Sequence, residues 1–146
     1  DLEAAPRHIV LAESCTGGLI AASLVSVPGM SQFLCGSLVT YQSATKTAWL
    51  NIDPRRIESH FAESPQVTAA MALAALDKTA AADLALAITG HLSGSEPNEI
   101  FIAISSRLET SQQQQQQHRL MATSRPERQI EAASLALKFL RQTLSR

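Results

Sequence analysis

The sequence predicts an α/β fold: a three-layer α/β/α sandwich around a mixed, mostly parallel sheet of about five strands with a terminal antiparallel hairpin. Three observations carry it. Short apolar runs rich in β-forming residues alternate with helical segments along the chain. Proline, glycine and serine punctuate the junctions between them. The last two extended runs, Ile100 to Ser106 and about Gln113 to Ala122, have no helical segment between them and so form a hairpin.

The elements follow in order. His8 to Ala12 (HIVLA) is a buried strand, ESCTGG a tight turn, and LIAASLV an apolar helix stopped by Pro28 and Gly29. Phe33 to Gln42 is a second strand, after which Ser43 caps a short helix from Ala44 to Leu50, and Pro54 starts another helical turn. Ser64-Pro65 supplies an N-cap and first-turn proline for the segment QVTAAMALAALDK. The nearly all-apolar surface of that helix asks for burial between layers or subunits. Leu84 to Thr89, ended by Gly90, is a third strand whose continuous apolar run suits a central position. Residues 91–98 form a polar loop, Glu109 to Ser111 turns the hairpin, and Arg125 to Leu144 closes the chain as an amphipathic helix.

Residues 1–146 read as a single domain, the size at which one core forms and two do not. A formal net charge of -1 excludes a basic nucleic-acid-binding surface as the main feature. Cys15 and Cys35 are expected as free thiols, and His8, His60, His91 and His118 show no metal-ligand spacing, so neither a metal nor a cofactor is expected. No apolar stretch approaches the roughly 18 residues of a membrane span, and no basic-then-apolar leader opens the chain, so a cytoplasmic protein is expected. Asp1 in place of Met leaves trimmed ends and a further domain open. The six-glutamine run Gln112 to Gln117 is either the solvated edge of the hairpin or an edge through which copies associate.

Two constellations carry chemistry. Ser14 follows a parallel strand and precedes a helix, the crevice position of α/β proteins. The amides of Cys15, Thr16, Gly17 and Gly18 stand near that helix's N-terminus and suit an oxyanion or phosphate, unless Ser14 and Thr16 only cap the helix. Cys15 is a rival nucleophile without a neighbouring histidine to activate it. The second constellation is TYQSATK, Thr40 to Lys46. A lysine in the first turn of a helix, partly buried, is held toward its neutral form and serves as a base for a serine, unless it is solvated. Tyr41 either hydrogen-bonds the leaving group or Lys46, or is a rim aromatic with its hydroxyl in water. His91 is the one histidine near the crevice, as ligand contact or as loop surface.

Together the motifs resemble one family. LAESCTGGLIA, Leu11 to Ala21, looks like the hallmark AESCTGG turn of the CinA C-terminal domain family, the nicotinamide-nucleotide amidases, and GSLVTYQSATKTAWLNI, Gly36 to Ile52, is similar to its second motif. The alanine-rich helix after Pro65 and the strand ADLALAITG, Ala82 to Gly90, are similar in kind and order. The resemblance implies hydrolysis of the carboxamide of nicotinamide mononucleotide to nicotinic acid mononucleotide and ammonia. It further implies Ser14 as nucleophile, Lys46 and Tyr41 in supporting catalytic roles, a small pyridine nucleotide as partner, and self-association into a homo-oligomer. Thr89, Gly90 and Arg125 join Cys15 to Gly18 as substrate-binding candidates, Arg125 standing where the family has a GDR motif. The chain departs from the family where a glycine-rich loop is replaced by HLSGSEPN, His91 to Asn98, where Glu63-Ser64 reverses the usual order, at Ser43, and where Thr123-Ser124 replaces Gly-Asp.

Overall fold

The structure is a computed structural model that describes residues 6–94, 98–107 and 113–145. Ten main elements follow one another: β1 (Ile9–Glu13), α1 (Leu19–Val25), β2 (Leu34–Val39), α2 (Ser43–Leu50), α3 (Pro54–His60), α4 (Pro65–Lys78), β3 (Leu84–Gly90), β4 (Glu99–Ser106), β5 (Gln114–Arg119) and α5 (Arg125–Leu144). The five strands form one sheet in the order β2-β1-β3-β4-β5. β1 pairs in parallel with both β2 and β3, while β4 and β5 each run antiparallel to their predecessor. The mixed three-layer sandwich read from the sequence is the observed fold.

Strand parity decides how the helices sit. On one face, Ile9, Leu11, Leu84, Leu86, Ile88, Ile100, Ile102 and Ile104 pack with Ile20 of α1 and Ala132, Ala136 and Phe139 of α5. On the other, Val10, Ala12, Ala85, Ala87 and Ala103 meet Val67, Met71, Ala72 and Ala75 of α4, with Leu50 and Ile52 beside them. Large side chains therefore stand between the sheet and α5. Small ones let α4 approach the sheet closely, since packed layers leave no unfilled space. The alanine-rich surface of α4 is thus explained by burial against β1, β3 and β4, although Leu73 on its outer side stays exposed.

Local chemistry sets most helix starts. Ser64 accepts from the Val67 amide, Asp53 from that of Arg55, and Ser124 forms a capping box with Glu127. The start of α2 differs from the reading above. Ser43 is already helical, Gln42 holds the cap position without a side-chain bond, and the Thr45 hydroxyl donates to the Gln42 carbonyl instead. α3 is also a full helix rather than a single turn. The expected turn at Glu109 to Ser111, and Gln112, lie outside the described residues. Of the remaining glutamines, Gln113 precedes the edge strand β5 and Gln114 to Gln117 form most of it, alternating half-buried and exposed side chains. No helix among the described residues is long and apolar enough to cross a membrane.

Candidate active site

Ser14 begins where β1 ends. Because side chains alternate along a strand, Glu13 and Ser14 emerge on opposite faces. Glu13 points to the α1 side, fully buried, and its carboxylate accepts five hydrogen bonds: from the Thr16 hydroxyl at 2.7 Å, the Ser37 hydroxyl at 3.1 Å, and the amides of Gly18, Ile20 and Ala21 at 2.9 to 3.1 Å. The positive end of α1 is thereby neutralised by the protein's own anion. That corrects the expectation that the whole turn is open to a ligand anion. The Gly18 amide belongs to Glu13, and the Gly17 amide donates to the Ser14 carbonyl at 3.1 Å. Among the described residues, the Cys15 and Thr16 amides are the two in the turn with no protein acceptor. Gly17 and Gly18 are required for another reason: their φ angles of 62° and 98° are left-handed, where a side chain is strained.

Ser14 faces α2. The Lys46 Nζ lies 3.0 Å from its Oγ, and both residues are buried. The same nitrogen donates to the Thr40 carbonyl at 2.7 Å and the Tyr41 carbonyl at 3.3 Å. Those two carbonyls fix two of its hydrogens, so in the neutral amine the lone pair faces the Ser14 hydroxyl. Burial holds the Lys46 amine below its ordinary value of 10.5, and the nearby Glu63 carboxylate opposes that effect. The depression foreseen from the helix start therefore comes first from desolvation.

Around this pair the candidates divide. Cys15 is buried in the core on the α5 side, and burial pushes its thiol up to about 12, which leaves it protonated and a poor nucleophile. Its carbonyl accepts from Gln129 of α5 at 3.1 Å, so α5 steadies the turn. The Tyr41 hydroxyl does not reach Lys46 or Ser14. It accepts from Arg125 Nη2 at 2.9 Å, and the other Arg125 nitrogen donates to the Ser93 hydroxyl. Tyr41, Ser93 and Arg125 thus form an exposed cluster, and only the Tyr41 backbone touches the lysine.

Thr89 is fully buried, its hydroxyl 2.7 Å from that of Thr68. Thr68 donates to the Ser64 carbonyl at 2.6 Å, so Thr89 is the donor to Thr68 and has no hydrogen left for a ligand. Gly90 serves packing rather than a ligand: a Cβ there would lie 2.6 Å from Ile100 Cγ2 and 2.7 Å from the Glu99 carbonyl. His91 is exposed and lines a cleft with Phe61, Glu63, Glu99 and Phe101. A larger apolar groove, about 350 Å³ between α1 and the end of α5, lies at the opposite end of the sheet from Ser14.

Sequence reasoning missed three groups. Glu13 was visible as an acid ending an apolar strand directly before a helix. Glu63 carried no local signal, since it reaches the site only through the chain reversal before α4. Thr40 sits level with Ser14 on the neighbouring strand, and its buried hydroxyl has no partner. A buried hydroxyl without a partner beside such a pair is a place where a ligand or water bonds.

The family model described as the CinA C-terminal domain matches residues 1–144. The chain belongs to the CinA C-terminal domain family. A CinA-like protein of Desulfotalea psychrophila is 46% identical over 82 residues, 56% of this chain and 20% of that relative. One from Mycobacterium avium is 48% identical over 86 residues, 59% of this chain and 20% of the relative. The matched segments span about a fifth of these curated relatives. Among solved structures, the competence/damage inducible protein CihA from Agrobacterium tumefaciens superposes with a TM-score of 0.90 at 26% identity, covering 100% of this chain and 90% of that one. A CinA superfamily protein from Klebsiella pneumoniae gives 0.89 at 27% identity, covering 99% and 91%. The fold of these CinA-family structures is thus shared across most of both chains.

Proposed function

We propose that this CinA domain is a nicotinamide-nucleotide amidase that hydrolyses the carboxamide of nicotinamide mononucleotide to nicotinic acid mononucleotide and ammonia. The observation that carries the reading is the buried Ser14–Lys46 pair, 3.0 Å apart, with the lysine amine held toward neutrality by burial. Neutral Lys46 takes the Ser14 proton as Oγ attacks the carboxamide carbon. The oxyanion of the tetrahedral intermediate meets the amides of Cys15 and Thr16, which have no other acceptor. The Lys46 ammonium returns a proton to the departing nitrogen, the C–N bond breaks and ammonia leaves. Water then attacks the acyl-serine, giving up a proton to Lys46, and Ser14 regains its own.

Arg125, held by Tyr41 and Ser93 at the surface, supplies the cation for the substrate's phosphate. In this reading Tyr41 is a positioning residue for Arg125 and, through its carbonyl, for Lys46.

Ammonia release from the mononucleotide by wild type, its loss in Ser14→Ala, and unchanged circular dichroism are the expected results. Equal turnover by the two proteins overturns the reading. A second reading, a homologue that binds a nucleotide or protein partner without turnover, draws on the replaced loop after Gly90. It is favoured if calorimetry finds mononucleotide binding while no ammonia appears.

A further inference from the structure

We propose that Gln129 is a positioning residue for the oxyanion: by holding the Cys15 carbonyl it aims the Thr16 amide into the space beside Ser14 Oγ. This role rests on the amidase reading, in which Ser14 attacks and the amides of the turn receive the negative charge.

In a trans peptide the C=O and the N–H that follows it lie in one plane and point in opposite directions, so the direction of one fixes the other. The Cys15 carbonyl accepts from Gln129 Nε2 of α5 at 3.1 Å and therefore points toward the α5 layer. The Thr16 amide hydrogen consequently points away from α5, toward the layer that carries Lys46. Ser14 Oγ faces that layer too, 3.0 Å from Lys46 Nζ. Nucleophile and oxyanion donor thus stand on the same side of the turn. The peptide before it is set by different means. The Ser14 carbonyl accepts from the Gly17 amide at 3.1 Å, so the turn itself orients the Cys15 amide. Among the described residues the turn offers the Cys15 carbonyl no such bond, and its hold comes from 114 positions away.

Gln129 is itself firmly held. Arg128 beside it donates to the Ala122 carbonyl at 2.9 Å and the Leu92 carbonyl at 3.1 Å, and the capping box of Ser124 and Glu127 closes the turn before. The start of α5 is thereby tied to the loops on either side of the β4–β5 hairpin. Gln129 stands one helical turn after Arg125, on the same face. That face touches both the surface cluster with Tyr41 and the turn with Ser14. The Thr16 hydroxyl bonds Glu13 at 2.7 Å, which anchors the side chain but does not fix the plane of the preceding peptide. Donation to the Cys15 carbonyl also polarises that peptide and makes its N–H a stronger donor. Gln129 is half-buried, where such a bond is stronger than in open water.

The test compares Gln129→Leu, which removes the donor, with Gln129→Glu, which keeps the shape and lacks the donor at neutral pH, each assayed well below its melting temperature. An oxyanion donor acts in the transition state, so its loss falls on kcat. Losing such a donor outright costs about 10²–10³-fold, so loosening one should lower kcat for ammonia release from nicotinamide mononucleotide about tenfold in both variants, with KM unchanged within about twofold. The pH inflection set by Lys46 should stay in place in Gln129→Leu. Methanesulfonyl fluoride gives a readout independent of the substrate: Ser14 Oγ displaces fluoride, its proton passes to Lys46, and a sulfonyl oxygen takes the place of the oxyanion. Wild type should gain one sulfonyl group, located on Ser14 by mass spectrometry, and both variants should gain it about tenfold more slowly. Unchanged kcat in either variant, a loss confined to KM, or an inflection that moves in Gln129→Leu overturns the role of Gln129, while ammonia release by wild type keeps the amidase. No ammonia from wild type, with sulfonylation slowed in both variants, keeps Gln129 and removes the amide reaction. Neither ammonia nor a sulfonyl group on Ser14 overturns both.

Discussion

The turn after β1 and the loop after β3 leave the sheet side by side at the same end, yet they are built in opposite ways. The first is buried and saturated: Glu13 takes five donors, two glycines stand at positive φ, and Ser14 meets a single buried lysine. The second starts at Gly90, fixed by contact with β4, and opens at once into exposed His91 and a cleft of aromatic and acidic side chains. A nucleophile needs one geometry and is locked in place. A binding surface needs room and is assembled from separate segments. Sequence changes can therefore accumulate after β3 without disturbing Ser14.

The sharpest way to break this contrast is at Lys46. Lys46→Met should lower ammonia release by at least about 10³-fold, while the melting temperature hardly falls, because burying an ammonium is itself unfavourable. A large drop in stability would instead make Lys46 a structural clamp of the 40–46 segment. Glu13→Ala should have the reverse signature. It strands buried donors at the start of α1 and should cost about 3–5 kcal/mol in urea unfolding, with Glu13→Gln costing less because its amide oxygen still accepts.

Titration distinguishes the two faces by sign. Lys46 is depressed when folded, so kcat/KM should rise with pH through an inflection below 10.5. The unfolded chain binds that proton more tightly, so the energetic penalty is full at lower pH and fades as pH approaches 10.5. Cys15 behaves oppositely. Its thiol is raised from 9.0 to about 12, so the stability it contributes is complete below pH 9 and is lost as pH rises from 9 to 12. Cys15→Ala should flatten that alkaline loss in denaturant titrations. In the native protein a thiol reagent should modify exposed Cys35 and spare Cys15. The smallest effect is expected for Tyr41→Phe, which removes one surface acceptor from Arg125. KM should rise about two- to tenfold with kcat little changed.

Local pattern made the strands and the helix starts at Ser64 and Arg125 legible, since each depends on neighbours in sequence; Ser14 and Lys46 stood out each in its own turn, although their contact spans 32 positions. Nothing in 43–46 reveals that the lysine folds back onto the carbonyls of Thr40 and Tyr41, or that the tyrosine hydroxyl turns away to an arginine 84 positions later. The role of Gly90 was equally hidden, because it depends on a strand not yet reached in the chain. Glu13 could have been read, since an acid between an apolar strand and a helix start has few other places to go. The Phe61 to Phe101 cleft could not, because its members come from three separate segments, between α3 and α4, just after β3, and in β4.

The unequal faces of the sheet have a consequence for how this protein can diverge. Between the sheet and α5, isoleucine, leucine and phenylalanine can exchange shapes with one another and keep the volume filled. Beneath α4 the strands present mostly alanine methyl groups, and any enlargement at Ala85, Ala87 or Ala103 would push a helix away from the strand ends that present Ser14 and Thr89. Drift among descendants should therefore be liberal on the α5 side and nearly frozen under α4, so that the half of the domain that holds Ser14 and Lys46 is inherited as a block.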